Sequence, residues 1–193
     1  MRSTTEVLVR PEMSPDGRTL FYERSNDPRS KTSRLIARDL ESGHEKELFQ
    51  IVSPARLTNR ALAPDGERFV LSIIPDPTRP FAPVLKILSV ANGEPRELIQ
   101  FDKSENLRAV GVTWTPDSGS VLFWKWKFEA DKELELWRIS AAGGEPRKLC
   151  SRKSFGNMRI HPDGKRIAFY DRSTTRELWV MENFLPRAVA AAE

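Results

Sequence analysis

Four copies of a proline-aspartate-glycine turn recur along the chain at intervals of about 50 residues. Proline presets φ in a tight turn, aspartate accepts hydrogen bonds from the amides that follow it, and glycine tolerates positive φ. The pattern therefore predicts four hairpins, and we interpret Ser118 as a one-residue insertion in the third. The residues assigned a structural role in these turns are Asp16, Gly17, Asp65, Gly66, Asp117, Gly119, Asp163 and Gly164.

A second motif keeps the same period. It reads glycine, two intervening residues, a basic residue, one acidic or basic residue and leucine, and it starts at Gly43, Gly93 and Gly144. Because the two motifs repeat in phase, the unit is one supersecondary module of about 50 residues, and the 193 residues hold about four such modules.

Each module alternates short apolar runs with turn residues and shows no sustained helical period. Apolar residues stand on both sides of several runs, which predicts strands that are covered on both faces by neighbouring sheets. The chain is therefore predicted to be all-β, with four-stranded antiparallel sheets. Second strands are predicted at 19–23, 68–73, 120–126 and 166–171, and third strands at 35–39, 84–90, 134–140 and 177–181.

At the turns the sequence resembles the TolB-type, WD40-like β-propeller repeat, which carries a small residue, Pro-Asp-Gly and a basic residue before an apolar strand. The matching stretches are Ser14-Pro15-Asp16-Gly17-Arg18, Ala63-Pro64-Asp65-Gly66-Glu67, Thr115-Pro116-Asp117-Ser118-Gly119 and His161-Pro162-Asp163-Gly164-Lys165. The resemblance implies a β-propeller with about four blades near 10–50, 57–100, 107–150 and 156–182. These blades would make up residues 1–186, followed by a C-terminal tail at 187–193.

Propellers of this type usually have six or more blades, so the resemblance also implies that blades are missing. Glu6-Val7-Leu8-Val9 is a candidate for a strand that completes the last blade, although it leaves little room before Pro15 for a first strand. We expect the chain to be the C-terminal arc of a larger propeller, or to complete itself by self-association. A closed ring of four blades is the alternative, and a compact monomer in solution would favour it.

Composition excludes several classes of protein. One cysteine and two histidines cannot supply an internal disulfide or a structural zinc site. The net charge of +4 comes from 31 basic and 27 acidic residues mixed along the chain, so no nucleic-acid partner is predicted. No window approaches about 20 consecutive apolar residues, so no membrane insertion is predicted. No cofactor and no metal are expected. The sequence as given has no signal peptide and would be cytoplasmic, or periplasmic if it belongs to an exported protein.

Residues that could carry chemistry are few. No Gly-x-Ser-x-Gly nucleophile elbow is present, and we predict no catalytic residue. His161 precedes the fourth turn, where we expect its ring to bond to that turn, with a ligand or acid-base role as the alternative. The turn aspartates are interpreted as turn-stabilising groups rather than calcium ligands.

Trp124, Trp126 and Phe128 alternate with lysines, so the aromatic side chains share one face of a strand. Packing between blades is the first interpretation, and a partner contact at Trp126 and Phe128 is the second. We expect Glu12, Thr113, Arg159 and His161 to lie near a central channel, and Trp126, Phe128 and the Pro80-Phe81 pair near a variable rim.

The functional prediction is a non-enzymatic platform that binds a protein partner or senses a ligand. The resemblance leaves two alternatives open. One is the propeller portion of a prolyl-oligopeptidase-like serine peptidase with its hydrolase domain elsewhere. The other is the sensor domain of a bacterial transcriptional regulator or kinase.

Overall fold

Antiparallel strands form almost all of the regular structure. The computed structural model describes residues 7–25, 32–78, 81–105, 107–127, 134–152, 156–161, 163 and 165–170. Sheet 1 contains β1 (Val7–Met13), β2 (Thr19–Ser25), β3 (Thr32–Asp39) and β4 (Glu45–Val52). Sheet 2 contains β5 (Arg56–Leu62), β6 (Arg68–Ile74), β7 (Val84–Ser89) and β8 (Pro95–Gln100).

Sheet 3 and a hairpin follow. Sheet 3 contains β9 (Leu107–Trp114), β10 (Ser120–Lys127), β11 (Leu134–Ser140) and β12 (Arg147–Arg152), and the hairpin contains β13 (Gly156–Ile160) and β14 (Ile167–Tyr170). A single 3-10 turn at Lys103–Glu105 precedes β9. Within each sheet the strands pair in chain order, so the first strand lies at one edge and the fourth at the other. The prediction of an all-β fold with four-stranded antiparallel sheets is confirmed by these three sheets. The third strand predicted at 177–181 and the tail at 187–193 lie outside the described residues.

All four hairpins between first and second strands have the same length, because the flanking pairs are Met13 with Leu20, Leu62 with Phe69, Trp114 with Val121 and Ile160 with Ile167. The interpretation of an inserted residue in the third hairpin is therefore wrong. Ser118, with φ of 54°, holds the positive-φ position that Gly17 and Gly66 hold at 72° and 76°. Gly119 follows it and donates its N–H to Asp117 at 2.9 Å. Gly164 lies outside the described residues.

Consecutive sheets pack face to face through apolar side chains. The rings of Phe21 and Phe69 meet edge-on, with centroids 5.1 Å apart, and join sheet 1 to sheet 2. Phe101 and Phe123 join sheet 2 to sheet 3 at 5.6 Å in the same way. All four rings are at most 2% exposed. Apolar surface is therefore buried between sheets rather than within one, as stacked blades require.

The basic residue of the second motif links sheet 1 to sheet 2 and sheet 2 to sheet 3. Lys46 Nζ of sheet 1 donates to the carbonyl of Ala91 in sheet 2 at 2.6 Å. Arg96, at the same place in sheet 2, donates to the carbonyl of Ala141 in sheet 3. Because these carbonyls lie in turns that begin where β7 and β11 end, the repeat itself encodes a hydrogen bond between neighbouring sheets.

The N-terminal strand belongs to the first sheet. Val7–Met13 pairs with β2 and forms the first edge of sheet 1. The candidate role of Glu6–Val9 as the completing strand of the last blade is wrong for Val7, Leu8 and Val9, because their backbone already supplies the first strand of sheet 1. Across the described residues, no helix has the length and apolar character that a bilayer crossing needs.

Candidate functional site

A cavity of about 530 Å³ opens where the first strands of the three sheets come together. We call it the inner-strand cavity. First strands supply most of its wall because they form the same edge of every sheet. Its lining residues are Arg10, Pro11, Glu12, Thr58, Asn59, Arg60, Ala61, Val112 and Trp124.

Arg60 holds sheets 1 and 2 together at this cavity. Its side chain is only 2% exposed, and it crosses from β5 to two glutamates of sheet 1. Its Nη1 donates to Glu12 at 2.8 Å and its Nε donates to Glu23 at 3.1 Å. A third donor reaches the carbonyl of Arg10. A guanidinium can be buried here because its charge and its donors find partners.

A bulge in β1 brings these partners into place. The pairing register of β1 shifts between Val9 and Glu12, and Arg10 adopts a φ of 55°. That conformation is uncommon outside glycine, and a bulge redirects the backbone and side chains around it. The bulge therefore directs the Arg10 carbonyl and the Glu12 carboxylate toward Arg60. Glu12 also accepts the backbone N–H of Leu62 at 3.1 Å.

Asn59 and Arg10 differ from Arg60 in having polar groups left for a ligand. Asn59 is half-buried in the wall, and its side chain makes no hydrogen bond to the described part of the chain. Its neighbour Thr58 is engaged with Ser72 at 3.0 Å. The Arg10 side chain is 46% exposed, and its one ion pair within the described part of the chain is with Glu23, at 3.4 Å. The wall therefore offers an amide and a guanidinium to the cavity.

Trp124 forms the apolar side of the cavity. It lies on β10 opposite Gly111 of β9 and is 5% exposed. A Cβ on Gly111 would stand 1.9 Å from a carbon of the indole ring, so glycine is required for the ring to occupy this space. Leu122 shares the buried face of Trp124, as the alternation of the strand predicts.

The predicted channel residues separate in the structure. Glu12 lines the inner-strand cavity. Thr113 is buried on β9 next to the cavity residue Val112, but it does not line the cavity. Arg159 lies on β13, and His161 is exposed at the end of that strand.

Of the predicted rim residues, Phe81 does not line the cavity. Trp126 lies on β10, where its backbone pairs with Ala109. Phe81 is half-buried in the segment before β7. Phe128 lies outside the described residues. A role for these three residues in partner binding stays a prediction.

His161 contacts the turn that follows it. Its Nδ1 lies 3.2 Å from the backbone nitrogen of Asp163 and 3.0 Å from the Asp163 carboxylate. Arg166 contacts both the histidine ring and this carboxylate. The Lys165 N–H, together with Arg166 and His161, lowers the pKa of Asp163 although partial desolvation opposes the change. These contacts place His161 in a turn network.

The other turn aspartates bind their own turns in the same way. The Ser14 hydroxyl and the Arg18 N–H lower the pKa of Asp16, and the Thr115 hydroxyl and the Gly119 N–H lower that of Asp117. For Asp65, burial raises the pKa, but the Arg68 guanidinium and the Glu67 N–H outweigh it and the net shift is downward. Among the described residues no three His, Cys, Asp or Glu side chains cluster as metal ligands would.

The sequence analysis missed Arg60, Asn59 and Arg10. A signal was present, since Arg60 stands two residues before the end of its first strand, where β9 has the apolar Val112. It could not be interpreted from sequence alone because the partners of Arg60 lie 37 and 48 residues away in another sheet.

Stacked four-stranded antiparallel sheets, with their first strands gathered around one cavity, define a β-propeller arrangement. Solved structures share it. TolB from Acinetobacter baumannii matches with a TM-score of 0.66 and 15% identity over 89% of this chain. A prolyl endopeptidase matches with a TM-score of 0.64 and 18% identity over 87% of the chain. The β-propeller domain of the Trilobed protease from Pyrococcus furiosus, described as having an open velcro topology, matches with a TM-score of 0.63 and 17% identity over 86% of the chain.

These comparisons confirm a TolB-like β-propeller fold, and at such low identity they establish the fold alone. The chain spans 39% of the TolB structure, 26% of the endopeptidase and 50% of the Trilobed protease domain. No protein-family model matches the sequence. No curated protein matches it either.

Proposed function

We propose that this chain is a non-enzymatic binding domain and that its inner-strand cavity takes a peptide segment of a protein partner. The observation that carries the proposal is the cavity wall itself. Arg60 fixes Glu12 and Glu23 in place, so the wall is ordered before any ligand arrives. A preformed, concave site with a few fixed polar groups loses little conformational entropy on binding.

The free groups of the wall suit a peptide. The Asn59 amide offers two donors and one acceptor, which matches the alternating N–H and C=O groups of a main chain. The exposed Arg10 guanidinium adds a site for a carboxylate or a carbonyl. Trp124 and Val112 supply an apolar surface for one side chain of the partner.

The proposal can be tested with a variant whose larger side chain fills the cavity. Peptides are selected from a random library on the immobilised wild-type chain, and their affinities are then measured on Asn59→Trp. We expect a loss of at least about tenfold, because the larger side chain occupies the site. The melting temperature should change little, since the Asn59 side chain has no hydrogen bond to the described residues that could be lost.

Lys103→Ala is the matched control, because Lys103 is exposed on the 3-10 turn and lies outside the cavity. It should keep the wild-type affinity. Equal affinity of the selected peptides for wild type and Asn59→Trp would exclude the cavity as the binding site. Hydrolysis of peptide or ester substrates by the purified chain would contradict the non-enzymatic assignment.

A second candidate is favoured by the likeness to the prolyl endopeptidase and to the Trilobed protease domain. In it, this chain is the propeller portion of a peptidase and the cavity faces the route of a peptide substrate. The sequence that adjoins this chain in its gene distinguishes the two. A Gly-x-Ser-x-Gly elbow in a downstream hydrolase domain would support the peptidase.

A further inference from the structure

One position of the first strand is used at the inner-strand cavity in all three sheets. Counted back three residues from the last pair before the turn, it holds Arg10, Asn59 and Gly111. Arg10 and Asn59 line the cavity themselves. Gly111 leaves its space to the ring of Trp124, which lines the cavity in its place. Three walls therefore bring a guanidinium, an amide and an indole to the same level of the cavity.

Arg10 holds this position in a strained backbone conformation. Its φ of 55° lies in the left-handed region, which glycine adopts freely and arginine adopts rarely. It belongs to the bulge between Val9 and Glu12. Backbone strain of this kind clusters at sites that bind ligands or carry out chemistry. The bulge thus brings a guanidinium to the cavity at a position where glycine would be free of strain.

The protein uses the charge of Arg10 only in part. Its Nη1 donates to Glu23 Oε1 at 3.4 Å, and Arg60 Nε donates to the same oxygen at the shorter distance of 3.1 Å. Arg60 also binds Glu12 and is 2% exposed, so its donors are committed to sheet 1. The described lining residues include two arginines and one glutamate, because Glu23 is buried behind the wall. Donors of Arg10 therefore remain for an anionic group in the cavity.

Asn59 supplies the second donor. Its half-buried amide makes no hydrogen bond to the described residues, and a ligand that supplies a partner removes the cost of leaving it unpaired. Because Asn59 and Arg10 hold equivalent positions on neighbouring sheets, they approach the cavity from two walls. A carboxylate has two oxygens and can accept from both walls at once, whereas a carbonyl has one oxygen and no charge.

We propose that the inner-strand cavity recognises a carboxylate of its ligand through Arg10 and Asn59, and that an apolar group beside this carboxylate lies against Trp124 and Val112. The inference rests on the proposed function, since it names the chemistry of the peptide segment that the cavity takes. A peptide C-terminus and an acidic side chain both carry this group. The ligand is a segment that presents either one next to an apolar side chain.

Three short probes test the carboxylate and distinguish its two sources. N-acetyl-glycyl-leucine has a C-terminal carboxylate, N-acetyl-leucyl-glutamyl amide has a side-chain carboxylate, and N-acetyl-leucyl-glutaminyl amide has neither. Each is titrated into the isotope-labelled full chain, and nuclear magnetic resonance follows the side-chain amide of Asn59 and the indole N–H of Trp124. At least one acidic probe should bind about tenfold more tightly than the neutral probe. Its binding should weaken as salt rises.

Substitutions at residue 10 test the guanidinium. Arg10→Gln should weaken binding of the acidic probe roughly tenfold and leave binding of the neutral probe unchanged. Arg10→Lys keeps the charge without the forked donor geometry, so it should retain part of the affinity. Arg147→Gln is the matched control, because it removes the same charge from an exposed position on β12, at the edge of sheet 3 opposite its first strand. It should bind the acidic probe as wild type does.

The variant Asn59→Trp separates this inference from the proposed function. If the acidic and neutral probes bind equally and Asn59→Trp weakens both, the cavity binds peptide and the carboxylate inference is overturned. If Asn59→Trp binds every probe as wild type does, the inference and the proposed function both fail. Wild-type affinity of Arg10→Gln for the acidic probe, or no binding of either acidic probe at about 10 mM, would also overturn the inference.

Discussion

Trp124 occupies its place beside the inner strand because residue 111, directly opposite on β9, has no side chain. A methyl group there would stand 1.9 Å from the indole ring. We expect Gly111→Ala to lower the free energy of unfolding by about 1–3 kcal/mol, since extra volume in a packed site forces its neighbours to move. Urea unfolding followed by tryptophan fluorescence measures this change.

The control for Gly111→Ala is a double-mutant cycle with Trp124→Leu. If contact with the indole ring causes the destabilisation, Gly111→Ala should lower the free energy of unfolding much less in the Trp124→Leu background. An equal cost in both backgrounds would show that the glycine is needed for its backbone and not for the space it leaves.

The turn aspartates give the chain an acid-sensitive component of stability. Hydroxyl and amide donors lower the pKa of Asp16 and Asp117 in the folded state, as described above. In the unfolded chain these carboxyls have a pKa of about 3.9. The stabilisation is therefore present above that pH and is lost as the pH falls through the lower pKa of the folded state. The urea midpoint should therefore hold steady down to about pH 5 and fall below about pH 4.

Asp16→Asn should make this acid dependence less steep while lowering stability at neutral pH. Glu67→Gln, which removes an exposed carboxylate beside the second turn, serves as the control. A wild-type midpoint that does not change between pH 5 and pH 3 would contradict the assignment of these aspartates.

At the scale of strands and sheets, the ion cluster of Arg60, Glu12 and Glu23 joins β5 to β1 and β2. Arg60→Ala would leave Glu23, whose side chain is only 12% exposed, without its buried partner. We expect Arg60→Ala to lower the free energy of unfolding by about 3–5 kcal/mol, because a buried charge without a partner destabilises the folded state. Chemical unfolding at neutral pH measures the loss.

A second variant separates charge from packing. Arg60→Met combined with Glu23→Gln keeps the volume and removes the buried charges, so it should recover most of the stability lost in Arg60→Ala. Arg18→Ala, at an exposed turn position, should change stability by less than about 0.5 kcal/mol. If Arg60→Ala were as mild as Arg18→Ala, the cluster would not hold the two sheets together.

Strand positions could be predicted closely from the sequence because period-two alternation and turn residues are local signals. The third strand of sheet 3 was predicted at 134–140 and β11 is Leu134–Ser140. The second strand of sheet 2 was predicted at 68–73 and β6 ends one residue later, at Ile74. The third turn was misjudged because glycine was expected at its positive-φ position, and Ser118 holds that position instead.

The candidate site was less predictable than the strands. Glu12 could be placed on a first strand near the centre from its offset to the turn. Arg60 could not, because arginine is rarely buried and only a partner from another sheet makes its burial stable.

At the scale of the whole molecule, the stacking of separate sheets side by side produces the propeller. The first strands come together because each sheet packs the apolar side chains of one face against the next sheet. The cavity and the Arg60 cluster both depend on that arrangement. The stacking of sheets is therefore the central claim, and the other proposals rest on it.

The most direct measurement is a nuclear Overhauser experiment on phenylalanine-labelled protein in solution. Stacked sheets predict contacts between the ring protons of Phe21 and Phe69, whose centroids are 5.1 Å apart, and between those of Phe101 and Phe123 at 5.6 Å. Both pairs join different sheets. Observation of the cross-strand contacts within each sheet, without either of these contacts between sheets, would contradict the account.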